Sequence, residues 1–469
     1  MVMINRRRVV LGTVALGACT AVFPVSAQGS RPIASDEDIA RLLAARIDVQ
    51  HRGTGGALGI VRDSRFSLVR HGLVGLEASQ RVGMRSAFQI ASLTKIFTAF
   101  LLAGAVRRGE VILDDSLDRH LPGPALSFDG RSVTLADLAT HTSGLPLRPA
   151  SRASRSQDDP YSGYSEVDLS TDLGAVQLTR PPGTQFEYSN FDYGLLGAAL
   201  SHRLGRSYSE LLEARILRPL DMDETRLVPT QSMRRRMVQG YDAQFAPMRA
   251  WDFGALAPAG GLYSTLGDLR KFISLWTSNK GDLSRTAQSM FSISRPGDDA
   301  NTRMTLGWRL SVRDGRRLAW SNGNGGGVRS FLGVAVDEPN GVIAFANMAT
   351  GGGVDDIGFH VLDRSSPVDV APVRERIAVA VSPTLLEQYV GVYVAASGDP
   401  EDTVTIVQTE EGIGIGQGAQ HIALFAETPR LFFIREDNIT LEFAEPVDGP
   451  SQEFVLTQGG QTFVYRRSR

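Results

Sequence analysis

The spacing of apolar positions divides the chain into stretches of different period. Asp36 to Gln50 places Ile39, Leu42, Leu43 and Ile47 at helical intervals. The run ALGIVRDSRFSLVRHGLVG then reads as two short strands around the turn residues Asp63 and Ser64, so a helix and a hairpin should open the fold. From Ile90 to Arg108 the chain is apolar almost without interruption and stops at Gly109, the pattern of a helix buried on most sides. From there to roughly residue 300, helices and loops dominate. They include Tyr193 to Leu204 and Tyr208 to Leu217, with a polar loop from Arg148 to Glu166. Strand periodicity returns between Leu306 and Met348 as LGWRLSV, a turn at Asp314-Gly315, RLAWS, a glycine-rich crossing, SFLGVAV, a turn at Pro339-Asn340-Gly341 and VIAFANM. A helix follows from Val354 to Leu362.

Hairpins in sequence imply an antiparallel sheet, and strands at both ends with helices between them predict an α+β domain over 28–364 whose sheet is built from the two ends of that segment. Residues 365–382 lack periodicity and are the expected linker. Beyond them, about eight short alternating strands at intervals of some ten residues predict a small all-β barrel over 383–469. Such strands suggest an internal cavity or a lid surface, but no residue in them names a ligand.

Composition narrows the function. With 49 Lys+Arg against 51 Asp+Glu, the chain has no basic footprint for a nucleic-acid backbone, and nucleic acid is not an expected partner. The single cysteine, Cys19, lies in an N-terminal run that follows Arg6-Arg7-Arg8 and ends Val25-Ser26-Ala27. This is the form of a signal peptide over 1–27 with cleavage after Ala27, giving a periplasmic or secreted protein with no transmembrane span in the mature chain. Twin-arginine export and lipid anchoring at Cys19 are the variants of that reading. The seven histidines are scattered without a His-Glu-x-x-His, so neither a metal nor another cofactor is expected. No Gly-x-Ser-x-Gly occurs, which removes an α/β-hydrolase elbow.

Only three lysines occur, Lys95, Lys271 and Lys280, so a lysine in a chemically suggestive place carries weight. Ser92 and Lys95 stand three apart at the opening of the buried helix, on one face. A desolvated lysine can lose its charge and accept a proton from a serine nucleophile. The bland alternative is a helix-start serine beside a snorkelling lysine. Tyr188-Ser189-Asn190 offers a phenol that can act as phenolate or proton relay, and an amide that can orient the lysine or bond a substrate amide. Taken alone, these two residues are as well explained by a turn and a helix cap. His141 is read as a turn residue supporting the site floor rather than as a base.

Together, Ser92-Leu93-Thr94-Lys95, LATHTSGLP (Leu138 to Pro146), Tyr188-Ser189-Asn190, ILRPLDMDETRL (Ile216 to Leu227) and AGGLYSTLGDL (Ala259 to Leu269) resemble the class C serine β-lactamases, the penicillin-binding DD-peptidases and the esterases of the same fold. The wording around Ser92 is most similar to the DD-carboxypeptidase/endopeptidase branch, and LEQYVGVYV (Leu386 to Val394) resembles the opening of the lipocalin-like domain found after many such hydrolases. The resemblance implies a Ser92 acyl-enzyme, proton transfer by Lys95 and Tyr188, and Asn190 holding Lys95 and the substrate amide. It also implies an oxyanion site between the backbone N–H groups of Ser92 and Asn324. The implied substrates are D-amino-acid peptides of the cell wall and β-lactams. The chain departs from the family in its third motif, where Ser321-Asn322-Gly323 puts a serine in place of the usual lysine or histidine. Ser321, Asn322 and Gly323 are expected along the substrate, with Arg329 as a replacement cation if it turns inward and as a solvated strand residue if it does not. The missing charge keeps an esterase or amidase open, and a catalytically idle muropeptide- or partner-binding protein is the third possibility.

Overall fold

The structure, a computed structural model, describes residues 34–469 except 153–158, 243, 279, 300, 314, 349–352, 371–375, 397–402, 410–411, 418–419, 435–438, 448, 459–460 and 469. The signal-like segment, with Cys19, lies outside the described residues. Two compact units are present, one spanning Ile33–Val370 and one reaching from Ala371 to Arg469.

In the first unit, β1 (Gly55–Arg62) and β2 (Arg65–Gly72) form the expected hairpin. Its turn residues Asp63 and Ser64 have φ of +48° and +63°, the left-handed pair that a two-residue hairpin loop requires. The remaining strands of this sheet are β3 (Arg295–Pro296), β4 (Thr302–Met304), β5 (Arg309–Arg313), β6 (Arg316–Gly325), β7 (Val328–Ala335) and β8 (Gly341–Ala346). The order is β2-β1-β8-β7-β6-β5-β4-β3, with the pairings throughout antiparallel, so the two ends of the segment meet at β1 and β8. The glycine-rich run is not a crossing: β6 continues through Gly325, and only Gly326 and Gly327, with φ of +55° and +75°, make the turn into β7.

The sheet is covered on both faces, giving the α+β fold read from the sequence. On one face α1 (Asp36–Ala44) and the helix Asp355–Leu362 bury Ile39, Leu43, Ile357 and Val361 against Leu58, Ile60 and Phe331. Ser35 starts α1 by accepting a hydrogen bond from the Asp38 amide. The other face carries α2 (Thr94–Arg107) and the helix Leu266–Thr277, packed on Ala57, Leu332, Ile343 and Phe345. Beyond them lies the helical region that includes α3 (Asn190–Leu204). α2 is buried on nearly every side, as its unbroken apolar run predicts.

The expected linker begins as part of this first unit. Arg313 donates to the Ser366 hydroxyl, and Asp369 pairs with Arg52 at 3.0 Å. In the second unit eight strands, from Gly391–Ala395 to Gln461–Arg467, close into a barrel. Among the described residues its interior is packed with the rings of Tyr393, Phe432, Phe443, Phe454 and Tyr465, and an eight-stranded barrel is just wide enough for its own side chains. Arg467 closes one end, donating to the carbonyls of Val390, Gln388 and Ser451 at 2.7–2.9 Å while lying over the Tyr393 ring. No helix among the described residues is long and apolar enough to cross a membrane.

Candidate active site

Ser92 lies in the single turn Ala91–Leu93 that leads into α2. Ala91 before it has φ of +46°, a left-handed conformation that costs an L-residue about 1–2 kcal/mol. Packing holds it there: a Cβ at Gly323 would lie 2.5 Å from the Ile90 carbonyl oxygen and 3.2 Å from Ala91 Cβ, so β6 can cross this close to the turn only because position 323 has no side chain.

One helical turn on, Lys95 is 3% exposed, and its Nζ is 3.0 Å from Ser92 Oγ, 2.7 Å from Asn190 Oδ1 and 2.7 Å from the carbonyl oxygen of Ala259. The Ala259 carbonyl reaches it because α3 presents Gly194 and Gly197 to the segment carrying Leu256 and Pro258; a Cβ at Gly197 would stand 2.2 Å from Pro258. Burial holds the Lys95 amine well below the usual lysine range, the nearby Arg309 cation adds to this, and a charge on Asp192 would oppose it.

Tyr188 donates to Ser92 Oγ at 2.6 Å, and its ring lies under the Lys95 amine, 4.8 Å from Nζ. Burial raises the phenol, more than its hydrogen bond to Ser92 and the Arg309 charge lower it, so Tyr188 is held as a phenol and not a phenolate. Ser189 caps α3 by accepting from the Asp192 amide, which fixes Asn190 at the first turn. The Asn190 amide donates to Tyr161 OH at 2.6 Å, leaving its oxygen turned to Lys95.

The structure therefore brings Ser92, Lys95, Tyr188 and Asn190 together. It treats the third-motif residues differently. β5 pairs with Arg316–Trp320 only, so from Ser321 to Gly325 the strand neighbour of β6 is β7. Ser321 is buried on the same face of β6 as Gly323, the face toward the Ser92 turn, and the Asn324 backbone lies one residue beyond Gly323. Asn322 points to the opposite face, where its amide donates to Asp355 at 2.6 Å. Arg329 is also not brought to the site. It is 2% exposed, so it is not a solvated strand residue either; it lies against Gly353. Its neighbour Ser330, which donates to the Ile90 carbonyl, takes the face toward Ser92. Alternation along β7 sends Arg329 the other way.

Three residues packed around these groups were missed in the sequence. Tyr161, in the polar loop, fixes the Asn190 amide. Arg309, the first residue of β5, is buried with Cζ 5.7 Å from the Tyr188 ring and 5.0 Å from the Trp320 ring, and donates through Nε to Asp298 at 2.9 Å. Asp192 is fully buried beside His141, whose ring lies 4.5 Å from that of Tyr188. Only Arg309 had a usable signal, as the cation that opens the strand paired with the one carrying Ser321. A group of His, Cys, Asp or Glu able to hold a metal does not occur among the described residues.

A buried amine between a serine hydroxyl and two carbonyl oxygens is suited to nucleophilic acyl transfer. The family model that matches, described as beta-lactamase, covers residues 37–362, which include all of these residues. The chain belongs to the beta-lactamase family. Members of this family are serine hydrolases, so the chain is an enzyme of that class. It is 29% identical over 327 residues to the D-alanyl-D-alanine-carboxypeptidase/endopeptidase AmpH of Escherichia coli strain K12, covering 66% of this chain and 83% of that one. It is 26% identical over 265 residues to a beta-lactamase of Lysobacter lactamgenus, covering 55% and 66%. Among solved structures, a class C beta lactamase from Rhodobacter sphaeroides aligns with a TM-score of 0.58 and 23% identity over 67% of this chain and 95% of that one. A Yersinia pestis beta-lactamase/D-alanine carboxypeptidase complexed with citrate aligns with a TM-score of 0.56 at 23% identity, covering 67% and 92%. These two likenesses concern the fold of the beta-lactamase family.

Proposed function

We propose that the protein is an exported acyl-enzyme hydrolase acting on D-amino-acid peptides of the cell wall and acylated by β-lactams. The observation that carries the reading is the surroundings of Lys95 Nζ. A neutral amine has two N–H donors and one lone pair. Asn190 Oδ1 and the Ala259 carbonyl, both at 2.7 Å, take the two donors, so the lone pair faces Ser92 Oγ at 3.0 Å and accepts its proton. Tyr188 supplies the remaining donor to Oγ. Every polar atom is then matched with Lys95 uncharged, the state its burial favours.

In the reaction, the Ser92 oxygen attacks the carbonyl carbon as its proton passes to Lys95, and the C=O electron pair moves to oxygen. The backbone N–H groups of Ser92 and Asn324 stabilise that oxyanion. As the tetrahedral species collapses, the bond to the leaving nitrogen breaks, Tyr188 protonates that nitrogen, and Lys95 returns a proton to Tyr188. Water then repeats the sequence on the ester and releases Ser92. Asn190 orients Lys95. Arg309 is the cation at hand for a substrate carboxylate, because among the described residues its guanidinium is hydrogen-bonded only through Nε. The names of the relatives favour the same substrates. Export rests on the signal-like segment, and the barrel, read as a domain from 383, serves as an accessory module.

Ser321 favours a second reading, an esterase or amidase on small acyl groups, since a hydroxyl brings no charge to that strand. Intact-mass spectrometry after incubation with a fluorescent penicillin and, separately, a fluorophosphonate, each beside Ser92→Ala, separates the two. A penicillin adduct lost in Ser92→Ala supports the first reading. Labelling by the fluorophosphonate alone supports the second, and labelling by neither makes the protein a binder.

A further inference from the structure

Beneath Tyr188 lies a buried acid–imidazole pair that the reaction above does not use. His141 is 2% exposed, with its ring 4.5 Å from that of Tyr188, and its carbonyl accepts from the Glu187 amide at 2.8 Å, so it supports the loop that delivers Tyr188. Its Nδ1 accepts a hydrogen bond from the Ser189 amide at 3.1 Å and stands 3.3 Å from Asp192 Oδ2. The other Asp192 oxygen, Oδ1, accepts from the Ser143 hydroxyl at 2.5 Å.

Proton counting decides the state of this pair. Because the Ser189 N–H points at Nδ1, that nitrogen offers a lone pair and His141 carries its proton on Nε2. An ionised Asp192 would then set a carboxylate oxygen against a lone pair inside the protein, with no solvent to separate them. The contact is attractive only with a proton between the two atoms. That proton belongs on Oδ2, since an N–H on Nδ1 would oppose the Ser189 N–H; the single lone pair of Nδ1 is then shared by two donors, the Ser189 N–H at 3.1 Å and the Asp192 Oδ2–H at 3.3 Å. We propose that Asp192 is a positioning residue held as an uncharged carboxylic acid, donating Oδ2–H to His141 and keeping the floor under Tyr188 and Lys95 free of negative charge.

The inference rests on the reading of Lys95 as the base for Ser92, and it explains what an anion there would do. Asp192 faces Lys95 from α2, Asp137 from the helix Leu135–Ala139 and Glu187 from the Tyr188 loop, while Arg309 on β5 and Lys95 act on His141; Tyr193 follows on its own helix. Burial and the two other carboxylates favour the acid form. Were Asp192 ionised, its charge would raise Lys95 toward an ammonium and remove the donor from His141. Acylation should therefore decline at any pH where Asp192 loses its proton.

The test follows Ser92 labelling by a fluorophosphonate from pH 5 to 10 in the full chain, its Asp192→Asn and Ser92→Ala variants, together with infrared spectra of aspartate-labelled protein. An asparagine imitates the acid, accepting from Ser143 and donating to His141, yet cannot ionise. The expected result is a protonated-carboxyl band at pH 7 that is missing in Asp192→Asn, labelling by that variant within threefold of wild type at pH 7, and, at any pH where the wild type loses the band, a fall in wild-type labelling that the variant does not share. A more than tenfold loss in a folded Asp192→Asn at pH 7, or the absence of the protonated-carboxyl band from the wild type there, overturns the proposal. If the variant does not fold, the wild-type spectrum decides: absence of any protonated aspartate at pH 7 overturns it. Labelling of Ser92→Ala would instead sink the underlying reading, and the infrared result stands apart from that.

Discussion

Replacing Arg309 by methionine removes one charge and keeps an unbranched stem over the Tyr188 and Trp320 rings. Asp298 loses its partner but is partly exposed, 21% at the side chain, so water can take over that bond. Two effects should separate. A charge-assisted hydrogen bond to a substrate carboxylate contributes about 1.5–3 kcal/mol. At about 1.4 kcal/mol per decade its loss lowers kcat/KM roughly 10- to 150-fold for a carboxylate-bearing depsipeptide. The same compound with its carboxylate amidated should lose less than threefold. Independently, Arg309 depresses the Lys95 amine, so its removal raises Lys95 toward the ordinary range. Acylation needs the uncharged amine and fails as pH falls through the Lys95 pKa, so the acid limb of Arg309→Met should move to higher pH. Stopped-flow acylation with the matched pair across pH measures both. Equal losses on the two substrates would refute the carboxylate assignment, and an acid limb that stays put or moves down would refute the electrostatic one.

Lys95→Met should reduce acylation by about 10²–10⁴, the usual worth of a positioned general base, read as labelling rate. Its stability has a sign as well: Lys95 is depressed on folding, so between its folded value and the unfolded-state value of about 10.4 the unfolded chain binds a proton that the folded chain does not hold. This penalises the wild type at neutral pH and fades as pH rises, so the Tm of Lys95→Met relative to wild type should be higher at pH 7 than at pH 10. Gly323→Ala forces a Cβ to within 2.5 Å of the Ile90 carbonyl oxygen and should displace the Ser92 turn. A tenfold or greater loss of labelling with about 1–3 kcal/mol of destabilisation in a denaturant melt is expected. Arg467→Met leaves the carbonyls of Val390, Gln388 and Ser451 without their donor and should lower the unfolding midpoint of the barrel while Ser92 labelling persists.

The sequence was informative where chemistry and local period coincide. Ser92 and Lys95 share a face because both stand at the start of a helix whose apolar run is unmistakable, and Tyr188-Ser189-Asn190 reads as a helix start because Ser189 is a capping residue. Arg329 and Asn322 were misjudged through parity: Gly323 faces the Ser92 turn and pairs with Ser330, so residues one step from either point away. The register needed for that inference depends on where the turn falls, and five glycines or small polar residues around it leave the choice open. Tyr161 reaches the site through tertiary packing that no local pattern encodes, and Arg309 was legible only through the pairing of its strand with the one carrying Ser321. The protonation of Asp192 depends on which nitrogen of His141 meets the Ser189 amide, a matter of three-dimensional geometry.

The central claim is that Lys95 is an uncharged amine at neutral pH, and the scarcity of lysine makes it directly measurable. Protein labelled with ¹³C at lysine Cε gives three signals, from Lys95, Lys271 and Lys280, with Lys95→Met assigning the first. Followed by NMR across pH, the Lys95 signal should titrate well below the other two and lie at the free-amine position at neutral pH. If all three remain ammonium up to pH 9, Lys95 is not the base and the account of Ser92 activation is wrong.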